Sequence, residues 1–292
     1  MSTFIGVDAG GSRTTAVVVD RDGTELVRGT SGPSGFQDRG PEVAAASIRA
    51  LVAELIDASR DRPGASDERP ARLVCAMAGG GRGGSASELE HLLGAADIAD
   101  QVTVVTDADA ALHAAFGEGP GIVVIGGTGS IAVGRARDGR TARAGGTLPP
   151  GGDPGSGEWL ARQAIRARLD PVSQLGQRTL DASRSEVAGL ARVVCEAASA
   201  GDQAAATLVR RAGEALADLV LDVRAGLAPW AASPRVALAG GLLEPERPVR
   251  DAVIAALRWE SPPTEILPER VDGALGAARL AIRGGFVAGC EE

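Results

Sequence analysis

One stretch decides the fold of this chain: Phe4-Ile5-Gly6-Val7-Asp8-Ala9-Gly10-Gly11-Ser12-Arg13-Thr14, followed by Thr15-Ala16-Val17-Val18-Val19-Asp20. Two apolar runs rich in β-branched residues flank a turn of small residues, a pattern that predicts a β-hairpin. The turn carries a carboxylate, a hydroxyl and a cation, and its glycines let a polyanion approach the main chain. The stretch therefore predicts a phosphate-binding hairpin, with an ordinary hairpin turn as the alternative.

Each residue of this turn has a separate predicted task. Gly10 and Gly11 would present main-chain N–H groups to phosphate oxygens, and Ser12 and Arg13 would add side-chain donors. Asp8, at the end of the first strand, would hold a hydrated Mg²⁺, since Mg²⁺ takes oxygen ligands and keeps several waters.

A second stretch, residues 121–134, repeats the design with a buried strand, a turn of glycine and hydroxyl residues, and another strand. Its turn is Gly127, Thr128, Gly129 and Ser130, which contains no acid and no base. We expect this turn to supply only N–H and O–H groups to phosphate. Two such hairpins predict a duplicated fold that grips one ligand between its halves.

The length, composition and net charge of the chain limit the classes of protein it can belong to. A length of 292 residues suggests two domains, and 44% hydrophobic with 23% charged residues is typical of a globular protein. A formal net charge of -8 and a pI near 5.0 argue against nucleic acid or an anionic membrane as partner. The chain has no basic leader and no apolar stretch of the ~20 residues that span a bilayer, so we expect a cytoplasmic protein.

The cysteines predict neither a disulfide framework nor a zinc site. Cys75, Cys195 and Cys290 are odd in number and far apart, and the chain has only two His. Cys75 lies in an apolar run and is expected to be a small core residue.

A carboxylate pair follows the strand predicted at residues 101–105. Asp107 and Asp109 begin a helix, where either could simply cap the free N–H groups, a contribution of ~1 kcal/mol. The position between a strand end and a helix start, just before the second turn, also suits a base that accepts a proton from a hydroxyl attacking a γ-phosphate.

Other candidate ligand contacts lie in glycine-rich segments. Ser34 and Gly35 belong to a loop that is either a linker or one wall of a substrate pocket. Asp153 and Ser156 precede a predicted helix, and a carboxylate there suits a polyol. Gly240 and Gly241 follow a strand and leave bare backbone for a base or a ribose.

The order of these motifs resembles a known superfamily, that of sugar kinases, actin and heat-shock chaperone ATPases. Within it the chain resembles the BadF/BadG/BcrA/BcrD ATPase family, which includes N-acetylglucosamine kinase and bacterial glucosamine kinase. The resemblance covers nearly the whole chain. It is carried by the segments 8–14, 78–82, 106–108, 127–130, 152–156 and 239–241.

The resemblance implies an α/β fold of two ribonuclease-H-like domains hinged around a nucleotide cleft, with ATP and Mg²⁺ as cofactors. The N-terminal domain would comprise residues 1–112, with the helix at 271–284 docking back on it. The C-terminal domain would comprise residues 113–270.

The same resemblance assigns roles to single residues. Asp8 would orient Mg²⁺ through water, and Asp107 would be the catalytic base, since the family pattern is Thr or Asn, then Asp, then Ala. The outer phosphates would be held by the two turns, and the adenosine by two further glycines. These nucleotide contacts are Gly10, Gly11, Ser12, Arg13, Gly127, Thr128, Gly129, Ser130, Gly240 and Gly241.

On the sugar side, Asp153 matches an amino-sugar contact, accompanied by Ser34, Gly35, Gly155 and Asp107. Two positions depart from the family pattern. Pro154 stands where the family commonly has Glu, and Gly35 or Phe36 stands where it has Asn. The acceptor is therefore open between glucosamine, N-acetylglucosamine and another hydroxylated molecule.

The resulting hypothesis is an ATP-dependent kinase that phosphorylates an amino sugar to a 6-phosphate, acts on small molecules and forms a homodimer. One alternative is an ATPase that activates a redox enzyme, although such proteins hold an iron–sulfur cluster with cysteines near the second turn, where this chain has none. A second alternative is a non-catalytic sensor of sugar or nucleotide.

Overall fold

The structure is a computed structural model that describes residues 2–11, 13–34, 40–62, 68–79, 84–147, 149, 152–169, 182–230, 233–258 and 264–284. Its contacts divide the chain into two compact units. Unit 1 is Met1–Gly117 with Asp272–Glu292, and unit 2 is Glu118–Val271. The boundary predicted after residue 112 stays a prediction.

Unit 1 is built on a five-stranded mixed sheet in the order β3-β2-β1-β4-β5. β1 pairs antiparallel with β2, and β4 pairs parallel with both β1 and β5. Its elements are β1 (Phe4–Ala9), β2 (Thr14–Val19), β3 (Glu25–Ser31), α1 (Pro41–Ser59), β4 (Arg72–Met77), α2 (Ser85–Gly94), β5 (Gln101–Thr106) and α3 (Asp107–Phe116). The helix that closes the described chain, designated α9 (Gly273–Arg283), also belongs to this unit.

The alternation of side chains along β1 builds two cores. Ile5, Val7 and Ala9 face the apolar stripes of α1 and α2. Phe4 lies on the opposite face, with residues of α3 and α9. Side chains of a strand alternate between faces, so Asp8 lies on the same face as Phe4.

The register of the parallel strands aligns their carboxyl ends. Asp8 is opposite Ala76 of β4, and Met77 is opposite Thr106 of β5. Asp107 directly follows Thr106, so Asp8 and Asp107 both lie at the carboxyl-end edge of the parallel strands. Ligands of α/β proteins bind at this edge.

Unit 2 repeats this plan with a sheet in the order β10-β9-β6-β7-β8. Strands β6, β7 and β8 form an antiparallel meander. Strand β9 pairs parallel with β6, and β10 pairs parallel with β9. Its strands are β6 (Gly121–Gly126), β7 (Ser130–Arg135), β8 (Thr141–Gly145), β9 (Arg235–Ala239) and β10 (Glu265–Ile266). Its helices are α4 (Gly157–Arg166), α5 (Arg184–Gly189), α6 (Ala191–Ser199), α7 (Gln203–Gly226) and α8 (Pro248–Leu257).

The two sheets have the same topology, since β8-β7-β6-β9-β10 corresponds strand for strand to β3-β2-β1-β4-β5. The predicted α/β duplication is therefore confirmed. Each sheet begins with a hairpin whose turn is one of the two predicted phosphate-binding turns. No described helix is both long enough and apolar enough to cross a membrane.

Candidate functional site

The first turn is a tight hairpin closure in unit 1. The Gly10 N–H donates to the Arg13 carbonyl oxygen at 3.1 Å, and a Cβ on Gly10 would lie 2.9 Å from that oxygen. The hairpin itself uses the Gly10 N–H, so the predicted phosphate contact of Gly10 competes with an internal hydrogen bond and stays a prediction. Gly11 is partly exposed and Arg13 is exposed, while Ser12 lies outside the described residues.

Asp8 is the next-to-last residue of β1, beside this turn, and its surroundings oppose its ionisation. Burial and the charge of Asp272 raise the pKa of Asp8 from 3.8 to about 6, and the nearby Arg13 guanidinium opposes this rise. A cation next to the Asp8 carboxylate would favour its charged form and so lower this pKa.

The two acids of α3 have different tasks. Thr106 is the N-cap of α3: its Oγ1 accepts from the Asp109 N–H at 3.1 Å, and its hydroxyl donates to Asp109 Oδ2 at 2.6 Å. Asp109 is therefore engaged in the helix cap. Asp107 contacts the helix backbone through one oxygen, Oδ1, which accepts from the Ala108 N–H at 3.0 Å.

The surroundings of Asp107 also shift its pKa strongly. Burial first, then the charges of Asp8 and Asp109, raise the pKa of Asp107 from 3.8 to about 7, against the hydrogen bond from Ala108. A carboxylate with this pKa at neutral pH is well matched to general-base catalysis. Strongly shifted pKa values concentrate at functional sites.

Cys75 has no comparable role. It is fully buried in the core of unit 1, as predicted, and burial together with the charge of Asp8 raises the pKa of its thiol to about 12. The group is a thiol rather than a nucleophilic thiolate at neutral pH. Cys195 is buried as well, and Cys290 lies outside the described residues.

The second turn, in unit 2, is fixed by the start of α4. The Gly157 N–H donates to the Gly127 carbonyl at 2.8 Å and the Glu158 N–H to the Thr128 carbonyl at 3.3 Å. Helix starts leave four N–H groups without intrahelical partners, and here two of them hold the turn. The Gly127 N–H donates to the Gly129 carbonyl at 2.9 Å, so that donor is internal too.

The other hydrogen-bond donors of this turn differ in whether they already have a partner. Ser130 is buried, and its hydroxyl donates to the Pro154 carbonyl at 2.7 Å. This hydrogen bond joins the turn to the loop before α4, so the predicted phosphate contact of Ser130 competes with an internal role and stays a prediction. The N–H groups of Thr128 and Gly129 take no part in the described backbone hydrogen bonds of this turn, which leaves them as its candidate phosphate donors.

The loop before α4 brings Asp153 against the second turn. Asp153 is buried, and a Cβ on Gly129 would lie 3.0 Å from its Oδ2. Gly155 has a φ of +81°, and a Cβ there would lie 2.8 Å from the Ala212 carbonyl of α7. Packing thus explains the glycine at 155. Sugar contacts by Asp153 and Gly155 stay predictions.

Gly240 and Gly241 follow β9 at the same edge of this sheet. Gly240 has a φ of +89°, and a Cβ would lie 2.4 Å from the Gly126 carbonyl oxygen, so only glycine fits beside the end of β6. Gly241 has open space around its Cα. The predicted adenosine contact matches this bare backbone and stays a prediction.

The early loop is only partly described. Ser34 is fully buried, and its Oγ accepts a hydrogen bond from Thr14 Oγ1 at 2.6 Å. Its predicted sugar contact therefore competes with an internal role, and stays a prediction. Gly35 and Phe36 lie outside the described residues, as do Gly80, Gly81 and Arg82 of the segment 78–82.

Sequence reasoning missed two groups that surround these residues. Asp272 lies close enough to Asp8 to raise its pKa, and Arg28 pairs with Asp272 at 2.9 Å. Glu158, also buried, pairs with Arg162 at 2.9 Å and Arg184 at 2.6 Å. The Asp272-Gly273 pair at a helix start was a visible N-cap signal, and Arg162 is a local i,i+4 partner of Glu158, whereas nothing local indicated Arg184.

The carboxylates of unit 1 fit a hydrated Mg²⁺ rather than a metal held by protein ligands alone. No group of three or more His, Cys, Asp or Glu suitable for a metal occurs among the described residues. Mg²⁺ in phosphoryl-transfer sites is held by one or two carboxylates together with phosphate oxygens and water. Asp8, whose ionisation is opposed by its surroundings, provides such a carboxylate.

Sheet topology and paired turns together define a protein of the two-unit, ribonuclease-H-like class found in actin-like ATPases. A model of the BadF/BadG/BcrA/BcrD ATPase family matches residues 5–281. The chain therefore belongs to this family.

Several known proteins are similar to this chain along nearly their whole length. An N-acetylmuramic acid/N-acetylglucosamine kinase of Clostridium acetobutylicum is 28% identical over 96% of this chain and 98% of its own. An N-acetyl-D-glucosamine kinase of Dictyostelium discoideum is 29% identical over 96% of this chain and 97% of its own. A crystal structure from Chromobacterium violaceum, of a candidate N-acetylglucosamine kinase, superposes with a TM-score of 0.74 at 26% identity and covers 96% of this chain and 99% of that one.

Proposed function

We propose that this protein is an ATP-dependent kinase that transfers the γ-phosphoryl group to a hydroxyl of an amino sugar, giving a 6-phosphate. The observation that carries the proposal is Asp107, a carboxylate left out of the helix cap and held with a pKa of about 7. Amino-sugar kinases of the same family that match nearly the whole chain support the substrate class.

Each unit carries groups suited to phosphoryl transfer. In unit 1, Asp107 accepts the proton of the attacking hydroxyl, which makes the oxygen a better nucleophile. In unit 2, the N–H groups of Thr128 and Gly129 donate to phosphate oxygens and stabilise the charge that develops on them. Asp8 would hold Mg²⁺ through water, and the ion would supply positive charge that offsets the charge of the phosphates. The internal hydrogen bonds of the second turn keep these two N–H groups preorganised.

The acceptor is identified by an ADP-release assay with a panel of sugars. We expect glucosamine or N-acetylglucosamine to give the highest kcat/KM, and N-acetylmuramic acid belongs in the panel because a relative acts on it. Glucose, which lacks the amino group, is the matched control for the 2-position. Equal turnover of glucose and every amino sugar would contradict amino-sugar specificity, and no ADP release with any sugar would contradict the kinase.

The pH dependence follows from the pKa of Asp107. A base must be unprotonated to accept a proton, so kcat/KM is expected to rise tenfold per pH unit and to level off at or below about pH 7, since a cation at Asp8 would offset one of the charges that raise the pKa of Asp107. The profile is measured at saturating Mg²⁺ with a buffer series of constant ionic strength. A profile that is flat between pH 5 and pH 8 would show that Asp107 does not act as the base.

A redox-activator function is less compatible with the sequence. Such a protein needs cysteines to hold its iron–sulfur cluster, and the chain has no cysteine between Cys75 and Cys195, the interval that contains the second turn. A purified protein that contains iron and releases ADP only with a redox partner would favour the alternative. The predicted homodimer and cytoplasmic location are further proposals, tested by light scattering and by cell fractionation.

A further inference from the structure

Helix α9 touches the backbone of β1 and of α3 without intervening side chains. At Gly6 of β1, a Cβ would lie 2.1 Å from the Ala274 carbonyl oxygen of α9. At Gly276 of α9, a Cβ would lie 2.2 Å from the Ala110 carbonyl oxygen of α3. The helix is therefore in direct backbone contact with both elements.

These two elements carry the two acids of the proposed site. Asp8 follows Gly6 by two residues on β1, and Asp107 precedes Ala110 by three residues on α3. Because α9 lies against both backbones, a side chain added at either contact, or a shift of the helix, is expected to change the separation of Asp8 and Asp107. Cores packed at native density transmit such shifts rather than absorb them.

The start of α9 also touches one of the acids. A Cβ on Gly273 would lie 2.7 Å from Asp8 Oδ2 and 3.0 Å from its Cγ. Asp272 caps the helix by accepting from the Leu275 N–H at 3.0 Å, and its other oxygen pairs with Arg28 of β3 at 2.9 Å. The ion pair thereby fixes the end of the helix that bears on Asp8.

We propose that α9 is a spacer that positions Asp8 and Asp107 relative to each other, with Gly273 and Gly276 as its positioning residues. The inference rests on the proposed kinase function. It assigns the two glycines different effects: Gly273 sets the placement of Asp8, and Gly276 sets the placement of the helix that carries Asp107.

The test uses one added methyl group at each contact. Gly276→Ala is expected to lower kcat about 10- to 100-fold while the Mg²⁺ concentration for half-maximal rate stays unchanged, since small displacements of a catalytic group have effects of this size. Gly273→Ala is expected to raise that Mg²⁺ concentration at least about fivefold and to reduce the increase in Tm that Mg²⁺ and ATP produce together. The Tm measurement does not depend on turnover.

Gly213→Ala is the matched control. Gly213 lies in α7, where a Cβ would be 2.4 Å from Ala252 Cβ of α8, so this packing is equally tight but lies in unit 2. The control is expected to lower Tm and to leave kcat and the Mg²⁺ requirement unchanged. If Gly276→Ala and Gly273→Ala lower only Tm, as the control does, the spacer role is refuted.

Asp272→Asn decides the question should the glycine variants not fold. Asn keeps the capping oxygen but loses the ion pair with Arg28, so the Mg²⁺ requirement should rise about twofold with little change in kcat. A wild-type requirement in this variant would overturn the spacer. A wild-type protein that releases no ADP with any sugar would instead refute the kinase function, and the Tm response of Gly273→Ala to Mg²⁺ and ATP would still decide the contact with Asp8.

Discussion

The Asp107→Asn variant is expected to lose at least about a thousandfold in kcat while it binds ATP with the wild-type affinity. General-base catalysis contributes about 10²–10⁴-fold, and Asn has the shape of Asp without its basic oxygen. The Ala108 N–H can still donate to the amide oxygen that replaces Oδ1, so the helix start keeps its hydrogen bond. Single-turnover phosphorylation and calorimetric ATP titration measure the two quantities separately.

The neighbouring acid supplies the control. Asp109→Asn weakens the hydrogen bond that the Thr106 hydroxyl donates to Asp109 Oδ2 and is expected to cost about 1 kcal/mol of stability, with kcat within about twofold of wild type. If the two variants lose activity equally, the division of roles between the acids is wrong. If Asp107→Asn keeps normal turnover, Asp107 is not the base.

The pH dependence of stability provides a second test of Asp107→Asn. The folded pKa of Asp107, about 7, exceeds its ordinary value of 3.8, so the folded state binds more protons between these values and loses stability as pH rises through the window. Asp107→Asn removes this loss. Its Tm, relative to wild type, should therefore be more favourable at pH 8 than at pH 4, which also shows that lost activity is not lost folding.

Local sequence was sufficient to place the two turns and to predict the duplicated sheet. A glycine-rich turn between two β-branched runs leaves few alternatives to a hairpin, and hydrophobic runs mark the strands on each side. The position of Asp107 between β5 and α3 was also a local matter, since a strand end and a helix start are both visible in sequence.

The donors of the turns were harder to predict, because their partners are distant in sequence or set by exact backbone geometry. Ser130 donates to Pro154, 24 residues away, and the Gly127 carbonyl accepts from Gly157 at the start of α4. Composition alone showed hydroxyl and N–H groups but not where each one points. The same limit concealed the contact of Asp272 with Arg28 and Asp8, since β1, β3 and α9 meet only in the folded unit.

The family resemblance added what local patterns did not distinguish. Asp107 and Asp109 were equivalent as helix-capping residues, and the Thr-Asp-Ala pattern favoured Asp107 as the base. The structure supports the same division by engaging Asp109 with Thr106. The resemblance also predicted sugar contacts, and these stay predictions. Gly35 lies outside the described residues, and Ser34 is buried and hydrogen-bonded to Thr14.

Asp8→Asn is expected to lower kcat/KM about 100-fold and to raise the Mg²⁺ requirement, since the loss of one preorganised electrostatic contact in an active site costs about 10²–10³-fold. The amide no longer attracts a hydrated cation, although it can still accept hydrogen bonds from metal-bound water. Initial rates over a Mg²⁺ series give both quantities. Asp20→Asn is the control: Asp20 follows β2 and accepts from the Asp22 and Thr24 N–H groups at 2.9 Å, a role that Asn fulfils.

The same variant tests the coupling between the two acids. The negative charge of Asp8 is one of the causes that raise the pKa of Asp107, so its removal should lower that pKa. The residual activity of Asp8→Asn should then reach its plateau at a lower pH than the wild-type activity does, while Asp20→Asn keeps the wild-type profile. An unshifted profile with a normal Mg²⁺ requirement would show that Asp8 neither holds the cation nor acts on Asp107. A shifted profile with a normal Mg²⁺ requirement would assign Asp8 to the tuning of the base alone.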